Sequence, residues 1–156
     1  MTAGGAPGLH GWTPATFLGK LAHLRKGDRG RAPHKPLLLL LLLGDFVRRG
    51  RTSIPFREAR DRLDPLLPRH GATGMAPSAA DPFIYLASEG LWAIAGGEGW
   101  TPAKLDLLNP QGGFTPEVTA LLHGHPGLAA EAVATLLRQH FPVAQHDALR
   151  TDLALP

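Results

Sequence analysis

Six Lys and Arg residues crowd into the sixteen positions from Lys20 to Lys35 (Lys20, Arg25, Lys26, Arg29, Arg31, Lys35), with His23 and His34 among them and Asp28 alone opposed. The cluster ends in "RAPHKP" and runs directly into seven consecutive leucines, Leu37 to Leu43. Cations beside a helix start, where backbone N–H groups lack intrahelical partners, are the chemistry of anion binding. Pro33 and Pro36 fix the chain on either side of His34 and Lys35, so this pair is expected to be placed, not loosely displayed. The competing reading is a helix cap with solvated bases, which adds little energy.

No other constellation suggests chemistry. His123 and His125 form "HGH", with His34, His70, His140 and His146 elsewhere, but no Cys or acid stands at ligand spacing, so no metal is expected. The only asparagine, Asn109, is far from any His pair suited to a His-Asn-His nuclease. A Walker-type phosphate loop, a Ser-His-Asp pattern and a flanked carboxylate pair are all missing. Neither catalysis nor a cofactor is expected.

The leucines do not read as a membrane span. The apolar run lasts from Pro36 to Leu43 and meets Asp45, Arg48 and Arg49, whereas a span needs about 20 residues. A helix that is leucine on every face is buried on every face, and this one is expected at the centre of a core. The chain has 156 residues, 44% hydrophobic and 19% charged, the profile of one globular domain. It contains no cysteine, which excludes disulfides and thiolate metal sites. The opening "MTAGGAPGLHGW" lacks the basic and apolar segments of a signal peptide, so residues 1–12 are expected as a flexible leader and 13–156 as a single domain.

Charge is unevenly distributed along the chain. From Lys20 to Arg69 thirteen bases face five acids, a segment charge of +8, while the remainder carries three bases and eight acids, −5. A basic half is the electrostatic footprint of a nucleic-acid binder. It is equally compatible with an Arg-rich solvated surface encoded by a GC-rich genome.

The elements that must hold the basic pair are mostly helical. Thr13 and Pro14 open "TPATFLGKLAHLRK" as a helix with Phe17, Leu18, Leu21 and Leu24 on one face. The leucine helix is expected from Pro33–Pro36 to Gly50. A third helix, "IPFREARDRLDPLLPR", is cut or kinked at Pro65, and "HGATGMAPSAADP" reads as a loop. "FIYLASEGLWAIAGG" reads as a β-hairpin turning at "SEG". Thr101-Pro102 and Thr115-Pro116 open two more helices, "PGLAAEAVATLLRQHF" is the last clear one, and the tail from Val143 is a short helix or a loose end. The fold class is therefore mainly α with a small β-hairpin (α+β), a winged-helix-like helical DNA-binding domain.

"RAPHKPLLLLLLLG", then "DPFIYLASEGLWAI" and then "GGF" resemble, in this order, the sulfur-binding domain of phosphorothioate-dependent type IV restriction endonucleases. The resemblance spans roughly residues 14 to 140. It implies a DNA-binding module for a backbone in which sulfur replaces a non-bridging phosphate oxygen, acting in a bacterial cytoplasm. Its implied partner is double-stranded DNA carrying phosphorothioate, with a nuclease domain or subunit acting after binding and no membrane. By resemblance His34 and Lys35 match the basic pair, with Arg31, Arg29 and Lys26 beside them. Pro82 matches the proline of the sulfur cavity, which Tyr85 and Asp81 adjoin, and Asn109 and Gln111 fall on a DNA-contacting loop before "GGF".

Two positions depart from that pattern. Asp81 stands where a tyrosine often precedes the proline, so its carboxylate either turns from the phosphorothioate or reads a base amino group such as cytosine N4–H. Gln111 stands where an arginine is expected. The family's HNH nuclease has no counterpart in the sequence, so the expected role is binding and not catalysis. An ordinary winged-helix regulator without sulfur preference and a protein-interaction domain are the two competing functions.

Overall fold

The computed structural model describes residues 11–24, 34–70 and 79–156. Thr13 caps the first helix, α1 (Pro14–Ala22): its hydroxyl accepts from Thr16 N while Thr16 Oγ1 accepts from Thr13 N, a reciprocal capping box. Trp12, expected in the leader, belongs to the fold. Its ring meets Phe17 edge-on at 6.4 Å and its indole N–H donates to Gly90 O at 3.3 Å. Residues 1–10, the rest of that expected leader, lie outside the described residues.

The leucine helix is α2 (His34–Arg49), and every leucine from 37 to 43 is 0% exposed. It ends where Gly50 takes a left-handed φ of 72°, which glycine adopts without strain. Burial on all sides comes from α8 (Leu128–His140), α5 (Ala80–Tyr85), α3 (Phe56–Leu63) and α9 (Val143–Leu153), each packed on α2. Among the described residues no helix is long and apolar enough to cross a membrane. Two further helices, α4 (Leu67–His70) after the break at Pro65 and α7 (Pro116–Gly124), complete the shell, and the tail is the regular helix α9.

The small β element differs from the expected hairpin. "DPFIY" is not a strand: residues 80–85 form α5, "LASE" (86–89) is a 3₁₀ turn, and only Trp92–Ile94 is extended, as β2. β2 and β1 (Ser53–Pro55) both pair antiparallel with β3 (Gln111–Phe114), giving a three-stranded sheet in the order β1-β3-β2. "GGF" (112–114) is thus part of the central strand, and in chain order the helix α6 (Pro102–Leu108) lies between β2 and β3. Its glycines are required by space. A Cβ on Gly113 would stand 2.1 Å from Thr52 O, and one on Gly112 2.5 Å from the Phe83 ring. Tertiary contact overrides the poor β-propensity of glycine here.

The end of α2 carries a buried charge. Asp45, 0% exposed, receives Arg48 at 2.6 Å, Arg51 at 3.2 Å and Arg62 at 2.7 and 2.9 Å, and Arg51 also binds Glu58 at 2.7 Å. Burial would raise the Asp45 carboxyl, but Arg62, Arg51 and Arg48 outweigh it and hold the pKa below its ordinary value. A depressed carboxylate stabilises fully above its unfolded value of 3.8 and loses that contribution as pH falls through the lower folded value. Asp45→Asn should therefore cost about 3 kcal/mol at neutral pH, the lower end for a broken buried pair because the guanidiniums are partly solvated. In acid denaturation followed by circular dichroism, the gap between parent and variant should narrow below about pH 4.

Candidate nucleic-acid interface

His34 and Lys35 open the first turn of α2; α5 packs against this helix, with Asp81 close enough to His34 to act on its charge. His34 is 7% exposed. Burial pushes its imidazole pKa below the ordinary 6.5, and the nearby Asp81 carboxylate draws it partly back. The helical form of 80–85 decides which side chains share a face. Asp81 and Tyr85, four apart, are both exposed, Tyr85 at 58%, while Pro82 is buried and Phe83 is 0% exposed in the core. A strand would have put Phe83 and Tyr85 on one surface; the helix removes Phe83 from any such surface.

Lys35 reaches across the gap to Glu89 at the end of the 3₁₀ turn, Nζ to Oε2 2.7 Å, and Lys20 of α1 reaches the other oxygen at 2.9 Å. The Glu89 side chain is 0% exposed, Lys35 13% and Lys20 28%. The next residue, Gly90, turns the chain at φ 84° and accepts the Trp12 indole. "SEG" therefore ties the starts of α1, α2 and β2 together. Glu89 was missed as a site residue, although an acid inside the apolar run "FIYLASEGLWAI" is the signature of a buried, paired carboxylate.

Asn109 and Gln111 lie on a second edge, reached through Phe83. The Phe83 ring packs over Gly112 and meets Phe56 at 5.2 Å and Trp92 at 5.5 Å, both edge-on. Asn109 ends α6 in the left-handed region at φ 47°, and its Oδ1 accepts from Arg57 N at 2.8 Å while Pro110 O accepts from Phe56 N at 2.9 Å. The two residues thus cap the N-terminus of α3. Exposed Gln111 accepts from Ser53 Oγ at 3.0 Å, and the neighbouring Leu107 and Leu108 are 75% and 58% exposed. Arg25, Lys26, Arg29 and Arg31 lie outside the described residues.

Several remaining histidines are structural partners. His140 Nε2 donates to Leu21 O at 2.7 Å, His146 Nε2 to Phe141 O at 2.9 Å, and His70 meets Asp152 at 2.9 Å. His123 meets Phe46 in a tilted arrangement, with ring centroids 5.3 Å apart and planes at 42°. Among the described residues no cluster of His, Asp and Glu is arranged to hold a metal.

A mostly helical domain with a three-stranded sheet, and with a basic helix start set against an aspartate-proline turn, matches solved DNA-recognition domains. The sulfur-binding domain of ScoMcrA complexed with phosphorothioated DNA superposes with a TM-score of 0.73 at 25% identity, over 89% of this chain and 95% of that one. The corresponding domain of SprMcrA, also complexed with phosphorothioated DNA, shares the fold with a TM-score of 0.73 at 24% identity, over 94% and 96%. The chain also aligns with the type IV phosphorothioation-dependent restriction endonuclease ScoMcrA at 25% identity and a TM-score of 0.71, covering 88% of this chain but 33% of that protein. Among curated proteins no significant match was found. The family model of the ScoMcrA-like DNA sulfur-binding domain matches residues 14–156, and the chain belongs to that family.

The geometry at Asn109 separates two duties. Asn109→Gly keeps the left-handed turn and loses the α3 cap, whereas Asn109→Ala loses the cap and strains the turn. Expected losses in thermal unfolding are about 1 kcal/mol for glycine and about 2–3 kcal/mol for alanine. Equal losses would show that the backbone conformation contributes nothing.

Proposed function

We propose that this chain is a DNA-binding module that recognises phosphorothioate in the backbone, with the sulfur received beside Pro82, Asp81 and Tyr85 and the anion gripped from the first turn of α2. Its membership of the sulfur-binding family over residues 14–156 carries the reading. The convergence of His34 and Lys35 with the Asp81–Tyr85 turn supports it. Arg31, Arg29 and Lys26 enter the same basic segment and add phosphate contacts, while Asn109 and Gln111 meet the DNA along the second edge. Binding, not catalysis, is the role assigned to the domain, acting in the cytoplasm. The strand scission that follows falls to a nuclease domain or subunit; the larger ScoMcrA, of which this chain covers 33%, is itself a restriction endonuclease.

The physics of the preference has two parts. Sulfur is larger, more polarisable and a poorer hydrogen-bond acceptor than oxygen, so apolar surface can receive it at a lower desolvation penalty. Proline is suited to that wall because it has no N–H to leave unsolvated. The phosphate nonetheless remains an anion, and cations must hold its other oxygen and its neighbours. Burying a few tens of Å² of soft surface at ~25 cal/mol per Å² is worth only about 1 kcal/mol, so the oxygen–sulfur desolvation difference must add to it. Asp81 is exposed on α5; its carboxylate would repel modified and unmodified linkages alike, so the role that suits it here is to accept from a base amino group such as cytosine N4–H.

The test of function is the ratio of dissociation constants for one duplex with and without a single phosphorothioate. We expect a clear preference for the modified duplex, and Pro82→Asn should bring the ratio close to one while leaving weak, salt-sensitive binding to both. A parent ratio near one would favour an ordinary helical DNA binder without sulfur preference. A large ratio untouched by Pro82→Asn would move the sulfur site elsewhere.

A pH profile tests His34 separately. Its depressed pKa leaves it neutral at neutral pH in the free protein, and a docked anion would favour the charged form and raise that pKa. The complex then binds more protons than the free protein, so affinity should strengthen as pH falls through the pKa of the bound imidazole and level off below the lowered free value. His34→Gln should flatten that slope. A flat parent profile that His34→Gln leaves unchanged would show that His34 does not become charged on binding.

A further inference from the structure

Glu89 sits behind the basic pair and receives two cations from two different helices, Lys20 of α1 and Lys35 of α2, through its two separate oxygens. It is wholly buried, at the end of a 3₁₀ turn that is fixed by Gly90 and followed at once by β2. Two long, mobile side chains are thereby held toward the interior of the domain. A lysine that would otherwise sweep the solvent, and neutralise whichever phosphate it met, is restrained next to the turn that carries Asp81, Pro82 and Tyr85.

We propose that Glu89 is a specificity-determining positioning residue: it withholds Lys20 and Lys35 from indiscriminate phosphate contact and fixes Lys35 where only a correctly seated backbone can use it. The proposal deepens the recognition reading above and rests on it. A buried carboxylate that binds two ammonium groups lowers the positive charge free to attract any duplex. It also sets the reach of Lys35, whose ammonium must stay within hydrogen-bonding distance of Glu89 while touching the anion from its more exposed side. Non-specific attraction and specific grip are therefore set in opposition by one residue. A residue needed only for folding would lower both together.

Glu89→Gln keeps the size and removes the charge. Titrations of the parent and the variant, each against modified and unmodified duplex across a salt series, read the two effects apart. Binding to unmodified duplex should strengthen, and its log–log salt slope should steepen by about 0.9 for each additional phosphate that a released lysine neutralises. The preference for modified over unmodified duplex should fall about tenfold, the size of losing one charge-assisted hydrogen bond. Glu89→Asp, which keeps the charge, should restore the parent salt slope. Weakening toward both duplexes by the same factor in Glu89→Gln, with the ratio kept, overturns the proposal and leaves Glu89 a structural anchor.

Should Glu89→Gln fail to fold, Lys20→Gln reads the same arrangement from its more solvated end. With one competitor fewer at Glu89, Lys35 is held more firmly, so binding to unmodified duplex should weaken while the preference is kept or raised. Lys20→Gln with unchanged affinity for unmodified duplex, or with the preference lost, overturns the assignment. A parent without preference defeats the recognition reading itself. In that case the unmodified-duplex arm still decides whether Glu89 restrains the lysines, since unchanged affinity and salt slope on its neutralisation would overturn that as well.

Discussion

The leucine helix α2 has no exposed face from Leu37 to Leu43, and this constraint governs the rest of the molecule. A helix with one apolar stripe can rotate or slide a little against its support; one packed on every side by α8, α5, α3 and α9 cannot. Its two ends are therefore fixed points, and polar chemistry is placed at both. At the C-terminal end Asp45 gathers three arginines, and at the N-terminal end His34 and Lys35 face α5 and Glu89. A proposed anion site at the start of such a helix is pre-organised, so little conformational entropy remains to be lost when a ligand docks.

The charge asymmetry of the sequence is largely folded back on itself. Lys20 and Lys35 from the basic segment pair with Glu89, Arg60 with Asp106 at 2.6 Å, and Arg69 with Asp152 at 3.0 Å, all acids of the acidic remainder. Arg57 donates to the Asp106 and Leu107 carbonyls that end α6. Segment charge thus overstates the field that an approaching duplex meets from these side chains. Arg62, Arg51 and Arg48 were counted in the same footprint, yet they serve Asp45 and, for the first two, Glu58. A basic segment is a sound reason to look for a nucleic-acid partner and a poor guide to which cations remain for it.

What was legible in the sequence follows from how local each cause is. The three Thr-Pro helix starts, at Thr13, Thr101 and Thr115, are all capped as read, because a cap is settled within four residues. The buried leucines were legible because their composition admits no other solution. The hairpin was misread because Phe83, Ile84 and Tyr85 favour strands, while the burial of Phe83 against Phe56, Trp92 and Gly112 rewards a helix instead. Asp81-Pro82 in the first turn was the available local cue, since an acid and a proline are both favoured there. The strand at Gly112–Gly113 had no local cue at all: its cause is the approach of Thr52 and Phe83 from distant parts of the chain. Among the proposed site residues, motif order pointed to His34, Lys35 and the Asp81–Tyr85 turn, whereas the pairing of Glu89 depends on two helices that converge on it from distant parts of the chain.

Phe83 joins these observations. Its backbone lies between Pro82 and Tyr85, on the turn proposed to receive the sulfur, and its ring lies over the central strand that begins at Gln111. The two edges of the proposed interface are therefore spaced by one aromatic ring, held edge-on by Phe56 and Trp92. A Cβ at position 112 would meet that ring and displace either the strand or α5, so the glycine sets a distance across the proposed interface as well as a strand geometry. A backbone-reading domain needs such a ruler, because successive phosphates lie at fixed separations along a duplex and a sulfur must reach its wall while the flanking contacts remain engaged. The motif "GGF" is the part of the sequence that sets the spacing between the proposed sulfur wall and the proposed second edge.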